Sequence, residues 1–118
     1  MDRRIPDKVA KAGDTMTGDL IINKANPGLV LKKTASGQFN HIVGYTNTVP
    51  RWQVKFGDDA AESGSGVGSD SSITRYSDAG TICSVPFTIN RANGGVSIPE
   101  PYQRNDGERA FKCLGCYR

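Results

Sequence analysis

Residues 51 to 57, RWQVKFG, alternate apolar and polar side chains without a break. On an extended backbone Trp52, Val54 and Phe56 fall on one side, and Arg51, Gln53 and Lys55 on the other. A two-residue period of this kind belongs to a strand buried on one face. The same reading finds runs on either side of it: DLIIN (19–23), LVLKK (29–33), FNHIVGYT (39–46), ITRYS (73–77), TICSVPFTIN (81–90) and VSI (96–98). Turn signals separate them. Asn26-Pro27-Gly28 breaks the first two, TASGQ breaks the next, and DAG at 78–80 and RANGG at 91–95 follow. Pro86 marks an edge or a bulge inside its run, because proline cannot donate to a ladder. Asp7 can cap a short helical turn around Asp7 to Ala12, and no amphipathic helix longer than two turns can be drawn. The predicted fold is all-β: a small antiparallel body preceded by an extended arm and followed by an irregular tail. The boundaries fall at 1–18, 19–99 and 100–118.

The apolar content limits what such a body can do alone. Leu, Ile, Val and Phe supply 24 of the 118 residues, close to the level at which chains struggle to offset a conformational entropy cost of about 1–2 kcal/mol per residue. The net charge is only +3, so self-repulsion does not hold the chain open. Thin apolar content, strict alternation and strand edges together call for partners. A body of this kind is expected to complete its core with copies of itself.

Other classes are disfavoured. No apolar run reaches the roughly 18 residues needed to span a bilayer, and Met1 to Pro6 is basic without the apolar stretch of a signal peptide. Basic residues are scattered rather than gathered, so no nucleic-acid surface is predicted. Gly64, Gly66 and Gly68 superficially imitate a phosphate loop but lack its Lys-Ser/Thr and helix. Asp58, Asp59 and Glu62 lack the spacing of a calcium loop. The stretch 58–72 is therefore read as a long, solvated, flexible loop. His41, the single histidine, reads as a strand surface residue, and Cys83 as core filler. No catalytic residue, metal or cofactor is expected. Tyr45, Trp52 and Tyr76 are candidates to stack on sugar rings, with packing as the plainer alternative.

Residues 51–98 carry a more particular pattern. An Arg-Trp strand is followed by Ala61-Glu62-Ser63-Gly64, Gly68-Ser69-Asp70, and Arg75-Tyr76-Ser77-Asp78-Ala79-Gly80. Pro86-Phe87-Thr88-Ile89-Asn90-Arg91 and an Asn93-Gly94 turn close it. This order resembles a module of bacteriophage tail fibres and related virion appendages. GDTMTGDL at 13–20 similarly resembles the lead-in to fibre repeats. The resemblance implies a parallel homotrimer and a structural role on the outside of a phage particle, at tail, neck or capsid. The basic arm, with Arg3, Arg4, Lys8 and Lys11, then has two readings: docking on a more acidic virion surface, folding as it binds, which a dedicated arm ahead of a trimeric body favours, or a frayed terminus. The alternative to the structural role is an adhesin that binds host glycans. For Cys113 and Cys116 it allows interchain disulfides around a threefold axis, where a bridge contributes about 2–4 kcal/mol. Bonding to another virion protein, a redox pair, a zinc set completed by Cys83 and His41, and two free thiols remain the other readings of that pair.

Overall fold

The computed structural model describes residues 8–99. Cys113, Cys116, Arg3 and Arg4 lie outside the described residues. Chain contacts divide the molecule into two units, at Val30 and Leu31.

The second unit contains one five-stranded antiparallel sheet, in the spatial order β1-β2-β3-β4-β5. The strands are β1 (Asn40–Thr46), β2 (Val49–Gly57), β3 (Ser71–Tyr76), β4 (Ile82–Ile89) and β5 (Val96–Ser97). Each pairs with its neighbours in sequence, so the topology is a simple meander. The described residues contain no helix. The all-β, antiparallel expectation is met, and the strand read from RWQVKFG lies inside β2.

Local chemistry accounts for each reversal. Asn47, at φ 55°, lies in the two-residue turn joining β1 to β2, and asparagine tolerates this left-handed region better than most residues. The β3–β4 turn is the predicted DAG. Gly80 N donates to Ser77 O at 3.0 Å, Ser77 N donates to Thr81 O at 2.8 Å, and Gly80 takes φ 85°. This is the three-residue hairpin loop that ends on a left-handed glycine. Between β4 and β5, Asn90 Oδ1 accepts from Ala92 N and Asn93 N, and Gly94 N returns to Asn90 O.

Pro86 occupies a bulge, as its chemistry requires. Ile73 pairs with Phe87 and Arg75 with Ser84, so Val85 and Pro86 together face Thr74. β5 pairs only with Thr88 and Ile89, which leaves Pro86 no ladder partner on that side either.

Two strand expectations are not met. Residues 19–23 and 29–33 contain no strand. Their apolar side chains are exposed instead, Ile21 at 80% and Val30 at 73%. A strand is stable only when its backbone finds a ladder, and neither segment pairs with the sheet. In the first unit, residues 8–30 hold turns rather than secondary structure. The helical turn expected to end at Ala12 is a single reversal, in which Gly13 N donates to Ala10 O at 3.1 Å. Asp14 closes it from behind, its carboxylate accepting Ala10 N and Thr15 N.

Candidate functional site

The strand pairings place every β2 side chain on a face, and the faces differ sharply. One carries a cross-strand row of Ile42, Val54, Ile73 and Phe87, one residue from each of four strands. Beside it runs Ser71–Ile89–Val96, and on the other side Gly44–Trp52–Arg75–Ser84. Arg75 Nε donates to Ser84 Oγ at 2.9 Å and bounds the apolar area there. Ile42, Trp52, Val54 and Val96 are all exposed, Trp52 at 51%. Ile73, Phe87 and Ile89 are half-buried.

The opposite face is polar. Its longest row is His41–Lys55–Ser72–Thr88–Ser97, which crosses all five strands. Gln53 and Thr74 stand next to it, and both are buried, as is Ser72. Gln53 Nε2 lies 2.7 Å from His41 Nδ1, and Tyr76 Oη donates to Gln53 Oε1 at 3.4 Å. The Lys55 ammonium stands 4.4 Å from the centre of the Phe39 ring, which meets His41 edge-on.

The two-residue period expected for RWQVKFG is present, and the structure shows which side of it is open. Trp52, Val54 and Phe56 form the open side of β2, while Gln53 is buried and Arg51 and Lys55 are half-buried. The physical reason is lateral cover. On the polar face Gln53 bonds across strands to His41 and Tyr76, and the longer side chains of Lys55 and Tyr76 stand beside the short Ser72 and Thr74. Apolar side chains on the other face gain full burial only from a second layer. No described residue of the chain has a large side chain that is fully buried.

The stretch after β2 is ordered by contacts, contrary to the flexible loop expected there. Residues 58–70 return on themselves through Asp58 N to Asp70 O at 2.8 Å, and Asp58 Oδ1 accepts from Ala60 N and Asp70 N. A tight turn, Val67 N to Gly64 O at 3.0 Å, is built on positive φ at Ser65 and Gly66. Gly68, at φ 88°, has its Cα so close to the preceding chain that a Cβ would fall 2.2 Å from Ala61 O.

A charged network ties this loop to two other segments. Lys33 Nζ donates to Gln38 O at 2.9 Å, to Asp58 O at 3.1 Å and to Ser69 Oγ. Ser69 Oγ donates to Glu62 Oε2 at 2.6 Å, and Lys33 lies 3.6 Å from the same carboxylate. Arg91, from the β4–β5 turn, reaches Glu62 Oε1 at 3.9 Å and donates to Gly68 O and Val67 O. The Ser69 hydroxyl, with Lys33 and Arg91 behind it, holds the Glu62 carboxyl below its ordinary pKa against an opposing desolvation effect. Gly57 makes room for the lysine: a Cβ there would lie 3.3 Å from Lys33 Nζ, Ser69 Cβ and Asn40 Oδ1. That asparagine oxygen is buried without a hydrogen-bond partner, while Asn40 Nδ2 donates to Leu31 O at 2.9 Å.

The residues singled out from sequence are distributed as follows. Trp52 lies on the apolar face; Tyr76 lies on the polar face, bonded to Gln53, and Tyr45 follows His41 and Val43 on that same side. The three aromatics therefore do not form one stacking platform. Lys8 and Lys11 are exposed in the first unit. His41 is exposed on β1, as expected, and Cys83 is half-buried in β4 rather than fully enclosed. Among the described residues no group of three or more His, Cys, Asp or Glu side chains could hold a metal ion. Sequence reasoning missed the Lys33–Glu62–Ser69–Arg91 network. Three of its members, Glu62, Ser69 and Arg91, stood in the quoted motifs, but nothing in their spacing announced that they meet.

No protein-family model matches the chain, and no curated protein matches it.

Proposed function

We propose that this chain is a structural subunit of a bacteriophage virion, a homotrimeric fibre or appendage protein attached through its N-terminal arm. The observation that carries the reading is the open apolar face of the sheet. A row of Ile42, Val54, Ile73 and Phe87 flanked by Trp52 and Ile89 is open among the described residues, as the inner face of a core shared between copies would be. Copies around a common axis supply that half to one another, and apolar burial stabilises such contacts by about 25 cal/mol per Å². The ordered motifs between residues 51 and 98 support the choice of a virion appendage among possible oligomers. The alternative, a host-glycan adhesin, draws less support, because Trp52 and Tyr76 stand on opposite faces.

Light scattering on the purified full chain tests the reading. The expected mass is three times 12.7 kDa. A compact single chain at micromolar concentration would remove its physical basis. A glycan array compared with Trp52→Ala separates the adhesin: specific binding lost in the variant would favour it.

A further inference from the structure

We infer that residues 19–23 of a second copy of this chain add as a strand to the free edge of β1. This rests on the assembly reading above and specifies how copies join.

The two edges of the sheet are guarded differently. β5 is two residues long, with Pro99 just beyond it. The part of β4 that β5 leaves unpaired contains Pro86 and two register shifts. Short strands, prolines and bulges are the devices that keep an edge from accepting another strand. β1 uses none of them. Its seven residues, Asn40–Thr46, include no Asp, Glu, Lys, Arg or Pro. Where its ladder with β2 shifts, the extra residues, Arg51 and Phe56, belong to β2, so β1 alternates regularly from end to end. An uncharged, regular edge of this length is a template for strand addition.

The chain also supplies a strand with no place to go. Residues 19–23, DLIIN, have strand composition, yet they join no ladder and leave Leu20, Ile21 and Ile22 exposed. Docked on β1 with Leu20 and Ile22 toward the apolar face, they extend the row Ile42–Val54–Ile73–Phe87 by a fifth strand. Ile21 then faces the side of Val43, the half-buried apolar residue of β1. The other unpaired apolar run, 29–31, is a weaker candidate. Its last member, Leu31, already accepts Asn40 Nδ2, and Lys33 just beyond it is bound to the 58–70 loop of its own chain.

Two measurements on the full-length chain test this. With a photo-crosslinking amino acid at Ile21 and a mixture of light and heavy isotope-labelled copies, light-to-heavy crosslinks to residues 40–46 are expected. Crosslinks confined to one chain, or reaching another part of the partner, would overturn the inference. Ile21→Pro, which removes a donor that no described hydrogen bond uses, should weaken association by about tenfold or more, with Ile21→Val unaffected. Equal association of both variants would also overturn it. A trimer whose Ile21 crosslinks lie elsewhere leaves the assembly reading standing and removes strand addition alone. A single-chain mass removes both.

Discussion

Val54 and Gln53 are neighbours on one strand and belong to opposite situations. Gln53 is 7% exposed, hydrogen-bonded on both sides of its amide, and surrounded by residues of its own chain. Val54 is 37% exposed, in a row of apolar side chains that opens outward. An antiparallel sheet packed on a second layer would bury the valine and solvate the glutamine. The contrast extends beyond β2. Hydrogen bonds within one copy hold Gln53 to His41 and Tyr76 and tie down the 58–70 loop, whereas Ile42, Trp52, Val54 and Val96 stay exposed on the apolar face. Among the described residues, then, directional bonds close most of the polar contacts, Asn40 Oδ1 excepted, while the apolar row stays open. Directional bonds can be closed pair by pair, but the hydrophobic effect needs area, and a single layer has too little of it.

The sharpest way to break this contrast is a charge on the open face. Val54→Asp leaves the hydrogen bonds of the sheet in place and puts a carboxylate where a partner layer would sit. Burying an unpaired charge is so costly that association should weaken by at least 1,000-fold, about 4 kcal/mol. Circular dichroism should still report the sheet, while light scattering should report one chain. An unchanged mass would mean that the apolar face is not the contact surface.

The complementary change lies one residue away. Gln53→Ala removes the partner of His41 Nδ1 and of the Tyr76 hydroxyl at once. It should cost about 1–3 kcal/mol of stability in urea unfolding, because two polar groups lose their bonds beside a buried site. Association measured at a fixed protein concentration should hardly move. If Gln53→Ala dissociated the oligomer while Val54→Asp did not, the roles assigned to the two faces would be exchanged.

How much of this was legible beforehand depends on the range of the interaction. Period and turn chemistry are local, and they placed β1 to β5, the Gly80 hairpin and the Pro86 bulge correctly. Which side of RWQVKFG is covered is not local. It depends on what lies above each face, and a period of two is identical for both. The strands expected at 19–23 and 29–33 have suitable composition, but a strand also requires a ladder partner, which composition does not supply. The loop at 58–70 looked mobile because Gly, Ser and Asp dominate it. Its order comes from Lys33 and Arg91, 25 residues before Asp58 and 29 after Glu62 along the chain, and composition carries no record of such meetings. Even Gly68 discloses its role only once Ala61 is seen against it.

The smallest expected effect concerns the polar side and uses pH. Glu62 is ringed by Ser69, Lys33 and Arg91, and its carboxyl titrates below the ordinary glutamate value, chiefly because it accepts the Ser69 hydroxyl. A carboxylate whose pKa falls on folding contributes stability that is fully present above the unfolded-state pKa. That contribution is lost as pH drops through the folded-state value. Thermal unfolding followed from pH 7 downward should therefore show a loss of stability beginning at the ordinary glutamate range and continuing below it. Glu62→Gln should start lower at neutral pH, because its amide cannot attract Lys33 and Arg91 as a charge does. The gap between the two proteins should close as the wild-type carboxylate takes up its proton. It should also narrow in high salt, since Glu62 is partly exposed and its ion pairs are screened. Two curves that stay parallel across the acid range would show that the charge of Glu62 adds nothing to the loop, and that hydrogen bonding alone holds the polar side together.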